Sequence, residues 1–265
     1  MADLFFPQLS SGAIAQYPIR KTKLVRTVKN IFPDGIMILN ADPEAYRLVW
    51  ELRYSELSEA DLNALQAHFV NCAGPLRAFT FIDPTENMLS WSSDLTAPVW
   101  LNSLGLAVGA GVNDPSGGVQ AFQLTNNGQT NEELSQTVGT PANYQYCFSL
   151  YVRSDVPTGI TLSRRGATDS SSGSYAVGSA WSRIVSTGRL NDTGTSFSIA
   201  VGIPAGQQVQ VYGVQLEAQV LPSRYRSTTV KGGVYTNAHW AVNQLPVIAE
   251  APNMFSTAFS IEAAV

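Results

Sequence analysis

The chain has 265 residues, 45% of them hydrophobic but only 14% charged, with a formal net charge of −4. Globular domains carry about 25% charged residues, so this surface must be finished with Ser, Thr, Asn, Gln and Gly. No Lys/Arg block is present to hold a nucleic-acid backbone, and no run approaches the roughly 18 apolar residues of a membrane helix.

The opening MADLFFPQLSSG has no basic segment leading into an apolar core, so the chain is expected to be made and kept in a cytoplasm until something releases it. Cys72 and Cys147 have no near cysteine neighbours. In a reducing compartment such isolated thiols are buried as small hydrophobes.

The first element signal along the chain is an alternation. Tyr46, Leu48, Trp50, Leu52 and Tyr54 share one parity, with Arg47, Glu51 and Arg53 on the other, the period-two pattern of a half-buried strand. From Ser58 to Cys72 the spacing turns helical. Ser58 is placed to cap, with Asp61 three residues on, and Leu57 and Leu62 sit where a hydrophobic staple forms. Leu62, Leu65 and Phe69 supply the apolar stripe, and Gly74-Pro75 ends it. A strand through Phe79 and Phe81 follows and closes at Asp83-Pro84.

From about Asn87 helical periodicity disappears. Short apolar runs alternate with turn-rich stretches such as GAGVNDPSGG (109–118) and ATDSSSGS (167–174). The clearest strand is Tyr144 to Val152, with others expected near Val119–Leu124, Gly159–Ser163, Trp181–Ser186, Phe197–Val201 and Val209–Leu216. Short strands at this spacing with Gly, Asn and Ser turns predict a β-sandwich. From about Thr228, Tyr235, Leu245–Ala249 and Phe255–Ile261 could supply two or three more strands, too few to bury a core alone. The expectation is therefore a discontinuous domain, 1–86 plus 228–265, into which a sandwich of 87–227 is inserted.

The stretch WELRYSELSEADLNALQAHFVNCAGPLRAFTFIDP (50–84) resembles the N-terminal domains of phage distal-tail and related minor tail proteins, and VYTNAHWAVNQLPVIAEAPNMFSTAFSIEAAV (234–265) resembles their closing strands. The segments NMLSWSSDLTAPVW (87–100), YCFSLYVRS (146–154), SAWSRIVSTG (179–188) and VYGVQLEAQVLPSRYRST (211–228) are similar to the carbohydrate-binding-module-like jelly rolls appended to phage tail proteins. These resemblances imply a mainly β chain with one helix near 58–72, in which a β-barrel-like tail domain carries an inserted jelly-roll β-sandwich. They also imply a virion tail-tip component that assembles as a ring, a homo-oligomer expected to be a hexamer. Such a ring links the tail tube to hub or fibre proteins and leaves an outward module for host-surface polysaccharide.

No enzyme constellation is legible. His68 flanks the helix stripe and reads as an edge-of-core residue; His239, in a predicted turn beside Trp240, reads as a surface or packing residue. Glu132-Glu133 is an adjacent acidic pair in a loop-like stretch, where acids are solvated. Glu217 reads as a structural acceptor near Arg224 or Arg226, and Asp114, Asp169 and Asp192 as turn residues. No cofactor and no metal site is expected. A glycan surface would need exposed aromatics with amides nearby; Tyr151 and Tyr212 are the better candidates, followed by Trp91 and Trp100, with Trp181 also weighed. Two other readings stay open: a glycan-binding adhesin as the main role, and a glycan depolymerase.

Overall fold

In the computed structural model, which describes residues 4–264, the described residues form sixteen strands and one helix. In chain order these are β1 (Arg20–Ile31), β2 (Met37–Leu57), α1 (Glu59–Asn71), β3 (Phe79–Ile82), β4 (Leu101–Asn102) and β5 (Leu106–Val112). There follow β6 (Ala121–Asn126), β7 (Glu132–Val138), β8 (Tyr146–Arg153), β9 (Thr158–Arg165), β10 (Ser170–Val177) and β11 (Ser182–Gly188). The last are β12 (Phe197–Ile203), β13 (Gln208–Glu217), β14 (Val234–Trp240), β15 (Ile248–Ala251) and β16 (Met254–Ala264). The mainly β class read from the sequence holds.

The chain divides into two compact units, one of Met1–Ser10, Ile14–Phe81 and Tyr235–Val265, the other of Ser11–Ala13 and Ile82–Val234. In the first unit a single sheet runs β1-β2-β16-β14-β3, with β15 pairing β16. The sheet is open at β1 and β3, whereas a barrel-like closure was expected; the described strands supply no ladder joining those two edges. Ser58 caps α1, its hydroxyl accepting from the Asp61 N–H at 3.1 Å, and Leu62 and Leu65 are buried.

Aromatic rings fill this unit's core. Phe6, Phe79, Phe81, Trp50, Trp240 and Phe259 are buried, with Trp240 and Phe259 at 4.4 Å and Trp50 and Phe81 at 5.0 Å between centroids. Each such ring contributes about 3 kcal/mol on leaving water. His68, expected at the edge of the packed face, lies inside it, edge-on to Phe79 at 4.7 Å and accepting the Trp240 indole N–H at 3.2 Å. Phe79 and Trp240 come from β3 and β14, other elements of the fold, whose approach α1's own periodicity could not reveal. His239, expected in a turn, is in β14, where one ring nitrogen lies 3.0 Å from the Pro75 carbonyl.

The outer half of the β1–β2 ribbon stands apart from this core. Residues 26–31 of β1 pair with 37–42 of β2, and β16 meets β2 only from Arg47 onward. Gly35, at φ 85°, makes the tip turn that most residues resist. Along this arm Leu24, Val25, Val28, Ile31, Phe32, Ile36, Met37, Ile38 and Leu39 are all exposed.

The second unit is a sandwich of two five-stranded antiparallel sheets, β10-β9-β12-β7-β4 and β11-β8-β13-β6-β5, consistent with a jelly roll. Alternation drives it: Phe148, Leu150 and Val152 of β8, Val209 and Val211 of β13, and Ile199 and Val201 of β12 are buried. Tyr146 and Phe197 join the two sheets across the core at 4.2 Å. Four of this unit's strands, β4, β5, β7 and β10, were not among those expected from the sequence. Ser170–Val177 reads as a turn-rich stretch because its serines lie on an exposed edge strand, and Glu132-Glu133 belongs to β7 rather than a loop. Glu133 is not freely solvated: Arg165 clasps it with two bonds of 2.7 and 2.6 Å. Cys72 and Cys147 are buried and unbridged.

Candidate functional site

The site begins with the parity of β8 and β13. Since Leu150 and Val152 point inward, Tyr151 and Arg153 must point out, and since Val211 is buried, Tyr212 emerges beside them, with Gln210 on the same face but buried under Arg153. The register places Tyr212 opposite Tyr151 and Gln210 opposite Arg153. On the next strand Gln123 lies opposite Gln210, and Thr125 opposite Gln208. On the other side Arg183 of β11 lies opposite Tyr151. One outer sheet face thus gathers two tyrosines, two arginines, three glutamines and a threonine.

A bulge follows in β13: between Tyr212 and Gln215 the register against β8 shifts, and Gly213 takes φ 64°. A Cβ on Gly213 would lie 3.1 Å from Tyr225 and 3.3 Å from Tyr151, so glycine is needed for space as well as conformation. The bulge lets Tyr225 pack edge-on against Tyr212 at 5.2 Å, forming an aromatic corner with the Tyr151–Tyr212 pair at 6.0 Å. Tyr225 is held by its hydroxyl, which donates to the Ser92 carbonyl at 3.0 Å, and burial pushes its phenol up to about 12.

Beyond the bulge the face is covered by the segment following β13. Glu217, buried, accepts from the Ser223 N–H at 3.0 Å, from the Ser223 hydroxyl at 2.5 Å, and from the Gln215 and Gln219 amides at 2.7 and 2.9 Å. It is a structural acceptor, but its partners are Ser223 and two glutamines rather than Arg224 or Arg226. The Ser223 carbonyl in turn accepts from Arg183 at 2.6 Å, and Arg183 also donates to Ser149 at 2.9 Å while lying over the Tyr151 ring at 5.3 Å. Arg153 donates its Nε–H to Gln210 at 2.6 Å and lies over the Trp181 ring at 5.2 Å. Next to this row a cavity of about 460 Å³ is lined by Ser154, Asp155, Val156, Gly206, Gln207, Gln208 and Gln210.

The other aromatic candidates sort differently. Trp100 is buried, its indole N–H donating to the Trp91 carbonyl at 2.9 Å, so it belongs to the core and not to a surface. Trp91 is half-buried at φ 50°, held by its N–H to the Thr229 carbonyl, and does not join the Tyr151–Tyr212 face in any ring contact. Sequence reasoning missed Arg153, Arg183 and Gln123 as parts of one face, though period two from Tyr151 points to Arg153. Tyr225 closes the Ser-x-Tyr end of the 211–228 pattern, but its place against Tyr212 was not legible, because a loop side chain's destination has no periodicity.

Asp114 and Asp192 behave as turn residues. Asp114 accepts from the Ser116, Gly118 and Gln120 N–H groups, and Asp192 from those of Thr168, Asp169 and Gly194, which hold its carboxyl down at about 2. Among the described residues no group of three His, Cys, Asp or Glu side chains is arranged to hold a metal ion.

No protein-family model matches the chain, and no curated protein matches it in sequence. Among solved structures it is similar to the enzymatically active domain of tailspike protein 4 of bacteriophage CBA120, at 14% identity and a TM-score of 0.42, covering 53% of this chain and only 22% of that one. It is also similar to the CBM22-1 xylan-binding domain from Paenibacillus barcinonensis Xyn10C, at 15% identity and a TM-score of 0.42 over 51% of this chain and 96% of that one. A third is the family 11 carbohydrate-binding module from Clostridium thermocellum in complex with a β-1,3-1,4-mixed-linked tetrasaccharide, at 15% identity and a TM-score of 0.37 over 52% and 98%. The structures it resembles are thus jelly-roll carbohydrate-binding modules and a phage tailspike domain, while the distal-tail resemblance rests on the residue patterns of 50–84 and 234–265.

Proposed function

We propose that the second unit binds a cell-surface glycan on the outer face of the β11-β8-β13-β6-β5 sheet, and that the whole chain is a structural component of a phage-type tail. The observation that carries the glycan reading is the Tyr151–Tyr212 pair flanked by Gln210 and Gln123. Half-buried tyrosines present an apolar face to the apolar side of a pyranose, and amides in register beside them both donate and accept, as sugar hydroxyls require. The role is binding rather than cleavage: Glu133 and Glu217, the acids weighed for chemistry, are each held by structural bonds. A glycan array probed with the full chain tests this. Binding to a bacterial surface polysaccharide, with its chain length unchanged after incubation, is the expected result; no binding to any polysaccharide overturns it.

The exposed arm favours the assembly part of the reading. A two-stranded ribbon is marginal alone in water, and this one displays nine large apolar side chains. Its fitting occupant is a second copy of this chain, because the same arm on a neighbour brings a matching apolar surface and both are covered at once. In the tail this would close a ring, a hexamer in the expected arrangement, between the tail tube and hub or fibre proteins. Light scattering on the full chain and on a variant with Ile36, Ile38 and Leu39 changed to Ser is the test. Oligomers from the first and monomers from the second are expected; monomers from both, with tail partners supplied, overturn it.

A further inference from the structure

We propose, building on the glycan-binding reading of this face, that the sugar it takes is acidic: a polysaccharide bearing uronic or other carboxylate-carrying residues. A neutral pyranose would need only the tyrosines and the amides. This face carries in addition two guanidinium groups, Arg153 two residues beyond Tyr151 along β8 and Arg183 across from Tyr151 on β11.

Neither arginine has a carboxylate partner, in contrast to Arg165 on Glu133 and Arg47 on Glu262 elsewhere in the chain. Arg153 spends one N–H on Gln210 and lies over Trp181. Arg183 spends two on neutral oxygens, and its Nε–H is buried without an acceptor. Arg183, with both Nη groups engaged and its Nε–H closed to solvent, contributes charge rather than a docking fork. Arg153 has committed only its Nε–H and can offer its Nη groups to a carboxylate by two parallel N–H bonds. Side chains two apart on a strand stand about 7 Å apart, so Arg153 rises one step beyond Tyr151 on the same face, within reach of a ring stacked there.

The acids nearby do not cancel this charge. Asp114 lies on the Tyr212 side, and its carboxylate already takes three backbone N–H groups. Glu217 is buried beneath the covering segment and saturated by Ser223 and two amides. Asp155 lines the adjoining cavity, which makes that cavity a place for hydroxyls and leaves the carboxylate over Tyr151, between the arginines. The site therefore reads as an anion position beside Tyr151 and a neutral position over Tyr212 and Gln123, fitting a repeat in which acidic and neutral sugars alternate.

The test titrates the full chain with polygalacturonate, alginate, hyaluronan and polysialic acid, with each polymer after carboxyl reduction to the neutral form, and with poly-L-glutamate as an anion without sugar. The expected result is binding to at least one acidic polymer, about tenfold weaker after carboxyl reduction, and weakened by salt. Arg153→Gln should cut the ratio of acidic to reduced-polymer affinity from tenfold to near one, whatever it does to both affinities together, and an unchanged thermal melt shows that the variant is folded. Equal binding to acidic and reduced polymers overturns the acidic assignment alone, as does equal binding to poly-L-glutamate. Binding to no polymer of either kind overturns the glycan reading along with it.

Discussion

Tyr151 and Tyr212 stand opposite each other on neighbouring strands, their ring centroids 6.0 Å apart, and both are only half-buried. Two aromatic rings kept side by side on the outside of a sandwich, with arginine and amide groups around them, form a platform whose exposed area stabilises nothing in the free chain. Truncating either ring to Ala should therefore weaken glycan binding by about tenfold, roughly 1.4 kcal/mol, with only a modest drop in melting temperature from the lost ring contacts. Calorimetric titration beside a thermal melt checks both halves. A large drop in melting temperature with no change in affinity would return the pair to a packing role.

His68 gives a prediction about pH. Burial lowers its pKa from 6.5 to about 4, and in the folded chain the neutral ring accepts the Trp240 N–H. Between those values the unfolded chain binds a proton that the folded one refuses. The stability from neutral His68 is thus fully present above pH 6.5 and is lost as pH falls toward 4, by about 3 kcal/mol in all. Urea unfolding of the wild type and of His68→Gln at pH 7.5 and 4.5 measures it. The glutamine keeps an acceptor for Trp240 but does not titrate, so its loss over the same interval should be smaller by most of that amount.

These two sites differ in how far the sequence could announce them. The helix was legible because Ser58, Asp61, Leu62 and Leu65 act locally, within one turn of each other. Tyr151 and Tyr212 were legible as outward residues because period two fixes parity within a strand. What parity cannot give is register: that Tyr212 faces Tyr151, and Arg183 the same tyrosine from the other side, depends on pairings between strands some 30 to 60 residues apart. Trp100 shows the same limit: its size favours packing, but only the pairing of its neighbours decides between core and surface, and the structure buries it. The apolar arm gave no warning either: in β1 its hydrophobic residues are interleaved with Lys and Arg, as they would be in a strand with one buried face.

The Glu133–Arg165 pair tests how much a half-exposed ion pair matters here. Its geometry is bidentate, yet the side chains keep 25% and 41% of their exposure. Water screens such a pair, so Glu133→Gln should cost about 1 kcal/mol or less. The same variant should leave glycan binding unchanged, because Glu133 lies on β7 of the other sheet. A thermal melt and a binding titration of this one variant check both expectations, and a loss of affinity would put Glu133 in contact with the binding face.

Glu217 is the reverse case, a buried carboxylate whose loss should reach the binding face indirectly. It holds Ser223 through both the backbone N–H and the hydroxyl, and the Ser223 carbonyl holds Arg183, which lies over Tyr151. Replacing Glu217 with Ala leaves the Ser223 and Gln215 donors without their acceptor, at about 1–3 kcal/mol for each donor that water cannot reach. The covering segment after β13 should loosen, and Arg183 with it. Hydrogen exchange should therefore rise at Ser223 and its neighbours before it rises in β8, and glycan affinity should fall although Glu217 touches no ligand. Glu217→Gln keeps one acceptor oxygen and should recover part of both effects. If it behaves like Ala in exchange yet binds like wild type, Arg183 is placed without help from Ser223 and the chain of contacts does not transmit.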